Sequence, residues 1–372
     1  MRADIYTCSF GAGHRAGAAR MAKILQEAFE VTILDSVEEA VPTFAPVLYE
    51  TYKDAMTKQG GLYKTYLKAD KMKKNLITLA GPLRHRFNEA VRRRPLPDVF
   101  VATYSIAAHL LSRLKKKDGF STPLVTLITD FEPHELWVNE MTDLYVVLSE
   151  ATKRSLEAFG VSSEKILLLE REAHEVRPIG EELHILLSGG GLGLLPEDVS
   201  YYRHLEESTG AKLRILCGLN HALKERLQAA GFEALGFQSN MVPHLTWADV
   251  VVGKAGGQSI LEAMEWGLPF GYFTPFLPQE ARNGQFLEET GMGFEVGVDE
   301  VHLPTREELL AMQERMLASR PEDGQIVKRL KGMVNHGSPL PTHRPRRRPL
   351  RRSQSLLQAA HRFGFPRGLS LF

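Results

Sequence analysis

Gly253-Lys254-Ala255-Gly256-Gly257-Gln258-Ser259-Ile260-Leu261-Glu262-Ala263-Met264 decides how this chain is read. It follows Asp249-Val250-Val251-Val252, an apolar run that predicts a buried strand, and its glycine pair opens a helix. Glycine at such a junction lets a ligand approach the backbone. The helix N-terminus turns unpaired N–H groups and the positive end of a dipole toward an anion. Gly256, Gly257, Gln258 and Ser259 are therefore candidates to hold a phosphate. Glu262, one helical turn beyond Gln258, can accept hydrogen bonds from ribose hydroxyls. A phosphate beside a ribose means a nucleotide.

The same strand–turn–helix unit recurs on either side of this stretch. The chain opens with a strand at 5–9, a turn through Gly11 and Gly13, a helix near 16–29 and a strand at 31–35. Further strands are predicted at 99–103, 124–128 and 144–148, with helices at 106–116 and 151–159 between them. A second series begins after Pro178-Ile179-Gly180. Its strand at 184–187 runs into Ser188-Gly189-Gly190-Gly191-Leu192-Gly193, and strands at 213–217 and 270–273 and helices near 222–230 and 307–317 follow. Strands alternating with helices predict an α/β protein with two parallel, doubly wound sheets. The organisation reads as a first domain over 1–178, a linker near 176–182, a second domain over 179–335 and a tail over 336–372. Ligands of open α/β sheets sit beyond the C-terminal strand ends, so facing strand-end loops imply a cleft between the domains.

With 43% hydrophobic residues, 372 residues suffice for two cores. Cys8 and Cys217 are the only cysteines and fall in different halves, which gives neither a disulfide framework nor a zinc set. No Asp-x-Asp or His-Glu-x-x-His motif occurs, and no essential metal or other cofactor is expected. The start lacks the apolar length of a signal peptide, and no stretch reaches the roughly 18–20 apolar residues of a membrane span. A cytoplasmic protein, free or held at a membrane surface, is the expectation.

The net charge of +1 hides two basic regions. Residues 51–94 carry twelve Lys or Arg against three acids, interleaved with Leu62, Tyr63, Tyr66, Leu76 and Leu79. Such a basic amphipathic insertion suits an anionic bilayer; an ordinary solvated helical face is the other reading. No recognised nucleic-acid module accompanies the charge, so no nucleic-acid partner is expected. The tail has no acid after Asp323 and crowds Arg346-Arg347-Arg348 and Arg351-Arg352 among prolines. It reads as a solvated tail, a basic anchor in contact with a membrane or nucleic acid, or the product of a changed reading frame.

Several ordered motifs resemble those of the GT-B glycosyltransferases, in the group that contains MurG, monogalactosyldiacylglycerol synthase and processive diacylglycerol glucosyltransferase. The opening stretch resembles that group's UDP-sugar motif. Ser9-Phe10-Gly11-Ala12-Gly13-His14 resembles its Gly-x-Gly-His element, and Thr129-Asp130-Phe131-Glu132-Pro133-His134-Glu135-Leu136-Trp137 its Thr-Asp-Phe-x-x-His-x-x-Trp stretch. Pro275-Phe276-Leu277-Pro278-Gln279-Glu280-Ala281-Arg282-Asn283 resembles a proline-bounded Gln-Glu-x-x-Asn segment, and Leu235-Gly236-Phe237-Gln238 a base-holding loop. The likeness spans residues 3–295.

The resemblance implies two Rossmann-like domains facing a central cleft and an inverting transfer of a hexose from a UDP-sugar to a lipid hydroxyl, most simply that of diacylglycerol. His14 becomes the base that activates the acceptor, unless it only caps the helix or binds anions. Asp130 and His134 would line the cleft, with Asp130 orienting His14 or touching the acceptor. Gly11 and Gly13 shape the acceptor loop. Gly189, Gly190, Gly191 and Gly193 approach the diphosphate or serve close strand–helix packing. Phe237 packs near uracil or in the core, and Gln279, Glu280 and Asn283 face the donor or form a solvated helix start. The partners implied are a UDP-sugar, a lipid acceptor and the anionic inner face of the cell membrane. A MurG-like UDP-N-acetylglucosamine transferase acting on a polyprenyl-linked acceptor and a non-catalytic UDP-sugar sensor are the alternatives. The chain departs from the group at Leu169-Glu170-Arg171-Glu172-Ala173-His174, where a Gly-Ile-Pro-like turn is usual. It also lacks a legible set of closing helices that pack back on the first domain.

Overall fold

Strand–helix alternation resolves into two six-stranded sheets, all of whose recorded pairings are parallel. The computed structural model describes residues 1–10, 12–57, 84–172, 174–273, 278–297, 302–319 and 325–335. The first sheet comprises β1 (Arg2–Thr7), β2 (Glu30–Asp35), β3 (Val99–Ala102), β4 (Leu124–Leu127), β5 (Leu144–Val147) and β6 (Ile166–Leu168), in the order β2-β1-β3-β4-β5-β6. The second comprises β7 (His184–Ser188), β8 (Lys212–Leu216), β9 (Glu233–Leu235), β10 (Val250–Gly253), β11 (Phe270–Phe273) and β12 (Gly293–Val296), in the order β12-β11-β10-β7-β8-β9. Strands β3, β4, β5 and β10 are buried at every position, as expected of parallel strands covered on both faces.

Strand order reverses between β1 and β3 in the first sheet and between β7 and β10 in the second. Loops diverge to opposite faces at such switch points and leave a crevice at the carboxyl ends of the strands. The Gly-x-Gly-His element follows β1. The 189–193 loop follows β7, and the Gly256-Gly257 pair follows β10. The topology thus carries the glycine-rich motifs to the two crevices.

The helix predicted at 16–29 runs over Ala12–Leu25. Ala12 and Gly13 contribute almost no apolar periodicity, so pattern alone starts the helix late; His14 lies inside the first turn. Helices at Val199–Thr209, Val242–Trp247 and Pro278–Glu289 fill intervals that carried no element in the sequence reading. Gly11, Ala173, the centre of the basic insertion at 58–83 and the tail from 336 lie outside the described residues.

The missing closing helix is a correction. Gln325–Asn335 is helical, buries Ile326 and Leu330 completely, and shares one core with Ala18, Met21 and Leu25 of the first domain. Its Ile326 N–H donates to Glu170 Oε1 at 2.9 Å, and Arg329 donates to the Glu164 carbonyl at 3.2 Å. The unusual 169–174 segment is what receives it. Nearby, Arg171 donates to Ser319, Glu172 pairs with Lys23 at 2.6 Å, and His174 stacks on Trp266 with ring centres 4.0 Å apart. The segment 169–174, which lacks Gly and Pro and precedes the linker, is fastened by side chains.

Candidate active site

His14 stands in the first turn of the Ala12–Leu25 helix, and two strand ends hold its ring. Nδ1 lies 2.9 Å from the carbonyl oxygen of Thr103, just beyond β3, and 3.0 Å from Thr129 Oγ1, just beyond β4. The Thr103 hydroxyl donates back to the His14 carbonyl at 2.9 Å. A carbonyl only accepts, so Nδ1 carries the hydrogen in the neutral ring and Nε2 keeps the lone pair. Burial pushes the imidazole below its ordinary pKa of 6.5, against the opposing charge of Asp130. A neutral imidazole with a free basic nitrogen is the state a general base requires.

Asp130 does not take the orienting role. Its Oδ2 accepts from Trp137 Nε1 at 2.9 Å and lies 3.9 Å from His134 Nε2. It acts on His14 through space, while Thr103 and Thr129 fix the ring. Next to His14, Tyr104 lies 5.1 Å away between ring centres, and Phe10 packs edge-on against Tyr49 and Tyr52 at 4.9 and 5.4 Å. An aromatic wall therefore leads from the base toward the Ala45–Thr57 helix.

On the other side of the cleft, the 189–193 loop folds onto its own backbone. Gly193 N–H donates to Gly190 O at 3.0 Å, and Leu194 N–H to Gly189 O at 2.9 Å. Gly193 has φ +69°, and a Cβ there would fall 1.8 Å from the Cys217 carbonyl. Close packing of two strand-end loops thus accounts for Gly193. Gly190 differs: the Lys254 side chain lies over it, with Cε 3.5 Å from where a Cβ would be, and 3.6 Å from the same point on Gly256. Lys254 Nζ pairs with the buried Glu280 at 3.3 Å. An ammonium therefore sits among the glycine loop, the Gly257–Trp266 helix N-terminus and Glu280, where a diphosphate would gather its charge. Sequence reading passed over Lys254 within the very stretch it opened on. It also passed over Thr103 and Thr129, although both stand just past the ends of neighbouring strands.

Gln258 donates to Glu262 Oε1 at 2.9 Å. Burial raises the Glu262 pKa, while the Gln258 hydrogen bond and the charge of Arg20 hold it down. Ser259 is half-buried on the same first turn. Phe237 is 58% exposed at the end of β9, so its ring is not in the core, and Leu219 is exposed at the end of the adjoining β8. Asn283 is bonded at both ends of its amide: its Oδ1 accepts from Phe131 N–H at 3.3 Å, and its Nδ2 donates to Ala255 O at 2.9 Å. It brackets the two domains. Gln279 is the second residue of the Pro278–Glu289 helix.

The two rims touch. Gly257 comes so close to the first domain that a Cβ on it would lie 2.3 Å from the Thr129 carbonyl. Phe131 stacks on Phe286 with ring centres 4.4 Å apart, and a cavity of about 10 Å³ remains among Gly13, Gly17, Thr129, Gly257, Gln258 and Leu261. Among the described residues no group of three or more His, Cys, Asp or Glu side chains could hold a metal.

Two doubly wound domains whose switch points face each other across a cleft are the architecture of the GT-B class of glycosyltransferases. Calicheamicin glycosyltransferase CalG4 superposes with a TM-score of 0.56 at 17% identity, covering 91% of this chain and 100% of its own. MurG of Acinetobacter baumannii superposes with 0.54 at 16% identity, covering 91% and 99%. Residues 14–169 match the family model for monogalactosyldiacylglycerol (MGDG) synthase, and residues 194–287 that for the glycosyltransferase family 28 C-terminal domain. A processive diacylglycerol beta-glucosyltransferase of Bacillus cytotoxicus is 24% identical over 352 residues, 87% of this chain and 89% of the relative. The chain is thus similar, over most of its length, to the glycosyltransferase group that joins MurG, MGDG synthase and the processive diacylglycerol glucosyltransferases.

Proposed function

We propose that this protein transfers a hexose from a UDP-sugar to the free hydroxyl of diacylglycerol with inversion at the anomeric carbon. His14 Nε2 takes the proton of the acceptor hydroxyl, and the alcohol oxygen attacks the anomeric carbon. The bond from that carbon to the diphosphate oxygen breaks, and UDP leaves with the electron pair. Its developing charge meets the ammonium of Lys254 and the N–H groups at Gly257 and Gln258, a fixed set of donors in place of a metal; the Gly256 N–H is taken up by the Lys254 carbonyl at 2.7 Å. Glu262 accepts from the ribose, Phe237 and Leu219 flank the base, and Glu280 with Gln279 reads the sugar. In this reading residues 1–178 serve the acceptor and 179–335 the donor.

What supports the reading is that His14 is tied at Nδ1 to a backbone carbonyl and touches Thr129, the residue against which Gly257 at the start of its helix packs from the other domain. The names of the curated relatives supply the acceptor. Among the described residues no helix is long and apolar enough to cross a membrane. Phe44 and Val47 are exposed at the start of the Ala45–Thr57 helix, ahead of the basic insertion in the sequence. They support peripheral attachment to the anionic inner face of the cell membrane, where each nearby basic residue adds about 1 kcal/mol.

The test is incubation of purified protein with separate UDP-hexoses, UDP-N-acetylglucosamine included, and mixed diacylglycerol vesicles, followed by mass spectrometry of the extracted lipids. A β-hexosyl diacylglycerol from one UDP-hexose is expected. Donor binding without any glycosylated lipid would overturn the reading.

A further inference from the structure

Two helices carry the opposed halves of this site, and a buried ion pair joins them. Arg20, on the Ala12–Leu25 helix, donates Nη2 to Glu265 Oε2 at 2.8 Å and Nη1 to Glu265 Oε1. The side chains are 16% and 6% exposed. Arg20 lies six residues beyond His14, about 9 Å along the helix axis. Glu265 lies three residues beyond Glu262 on the Gly257–Trp266 helix, about 4.5 Å along its axis. Gly17 of one helix and Leu261 of the other line the same residual cavity, so the two run side by side at that point.

We propose that Arg20 and Glu265 are a positioning pair that sets the separation between the acceptor base His14 and the donor carboxylate Glu262. The proposal rests on the reading of those two residues given above. A bidentate guanidinium–carboxylate fork fixes orientation as well as distance, which a lysine cannot do from the same place. Because both partners stand on helices, a shift at the fork carries over to His14 and Glu262. Neither member touches the reacting atoms; both act through the register of the helices. The Arg20 charge also falls on Glu262, which faces Gln258 and Glu265 from its own helix and Arg20 from the other.

The test compares Arg20→Lys, Glu265→Gln and the exchange Arg20→Glu with Glu265→Arg, with UDP affinity by calorimetry, kcat and donor KM for lipid glycosylation, and Tm. Glu265→Gln and Arg20→Lys are expected to lower kcat by about tenfold to hundredfold, the scale on which small misplacements act. UDP affinity should stay within about threefold for Arg20→Lys, which keeps the positive charge that acts on Glu262, because the donor contacts all stand on the second domain and move together. The exchange should recover part of the lost kcat. Folded Glu265→Gln and Arg20→Lys proteins with wild-type kcat would overturn the proposal, as would a fall in Tm and UDP affinity with kcat unchanged. His14→Ala separates the two levels. If it retains transfer, the reading of the base fails; if it loses transfer while both fork variants keep wild-type kcat, only the positioning pair fails.

Discussion

Nδ1 of His14 is held by the backbone carbonyl of Thr103 at 2.9 Å, not by the carboxylate of Asp130, whose Oδ2 is taken up by Trp137 at 2.9 Å. The carbonyl sets the tautomer, and burial outweighs the increase in basicity that the Asp130 charge and the Thr103 hydrogen bond give the ring. His14→Ala should therefore cost about 10²–10⁴-fold in kcat, the usual contribution of a general base, with UDP affinity unchanged. Because burial depresses the His14 pKa below 6.5, the ring stays neutral to lower pH than an ordinary histidine. The acid limb of kcat/KM should accordingly lie below pH 6.5. A limb above that value would assign the titration to another group.

Asp130→Asn tests the through-space part of this arrangement. Asparagine can still accept from the Trp137 indole, so the loop geometry should persist. What is lost is a negative charge that stabilises the imidazolium and raises the His14 pKa. The acid limb should move further down in pH, with little change in the plateau rate. An upward move, or loss of the plateau, would mean that Asp130 contacts the acceptor or the ring directly.

The parts of the fold that repeat locally were legible in the sequence. Strand–helix alternation located most of the strands, and both glycine-rich stretches fell at switch points. Contacts between residues far apart in the chain leave no local signature. Nothing near Asn283 hints that its amide will bracket Phe131 and Ala255, and nothing near Arg20 announces Glu265. The Gln325–Asn335 helix is an intermediate case. Its apolar face, Ile326 and Leu330, has helical spacing, but Lys328, Arg329 and Lys331 merge with the basic tail and mask it. Phe237 shows the converse, since only burial could decide between core and base platform for an isolated aromatic.

Lys254 should matter to diphosphate and not to nucleoside. Charge-assisted hydrogen bonds contribute roughly 1.5–3 kcal/mol, so Lys254→Met should weaken UDP binding by about tenfold to hundredfold. Uridine, which lacks the phosphates, should bind as before. Removing the ammonium also leaves Glu280 buried without its partner at 3.3 Å, so the variant should be paired with Lys254→Met/Glu280→Gln. Calorimetry with UDP and uridine on both proteins checks this. Equal losses for the two ligands would place Lys254 in a structural role.

Gly257 and Gly256 are adjacent, yet they answer to different neighbours. A methyl group at Gly256 would meet nothing closer than Lys254 Cε at 3.6 Å, an ordinary contact with a flexible chain. Gly256→Ala should then cost no more than about 1 kcal/mol, the scale of a changed helix cap. At Gly257 the same methyl would fall 2.3 Å from the Thr129 carbonyl, a backbone atom that cannot swing aside. Gly257→Ala must push the Thr129–Asp130 loop away or hold the cleft apart, at the roughly 1–3 kcal/mol typical of overpacking. Because Thr129 also contacts His14 at 3.0 Å, the displacement reaches the base. The expected outcome is a lower Tm together with a fall in kcat for Gly257→Ala, and near-wild-type behaviour for Gly256→Ala. Calorimetric unfolding and steady-state transfer on both variants measure this directly. Equal effects at the two positions would mean that the glycines serve the phosphate alone and that the rims do not meet as described.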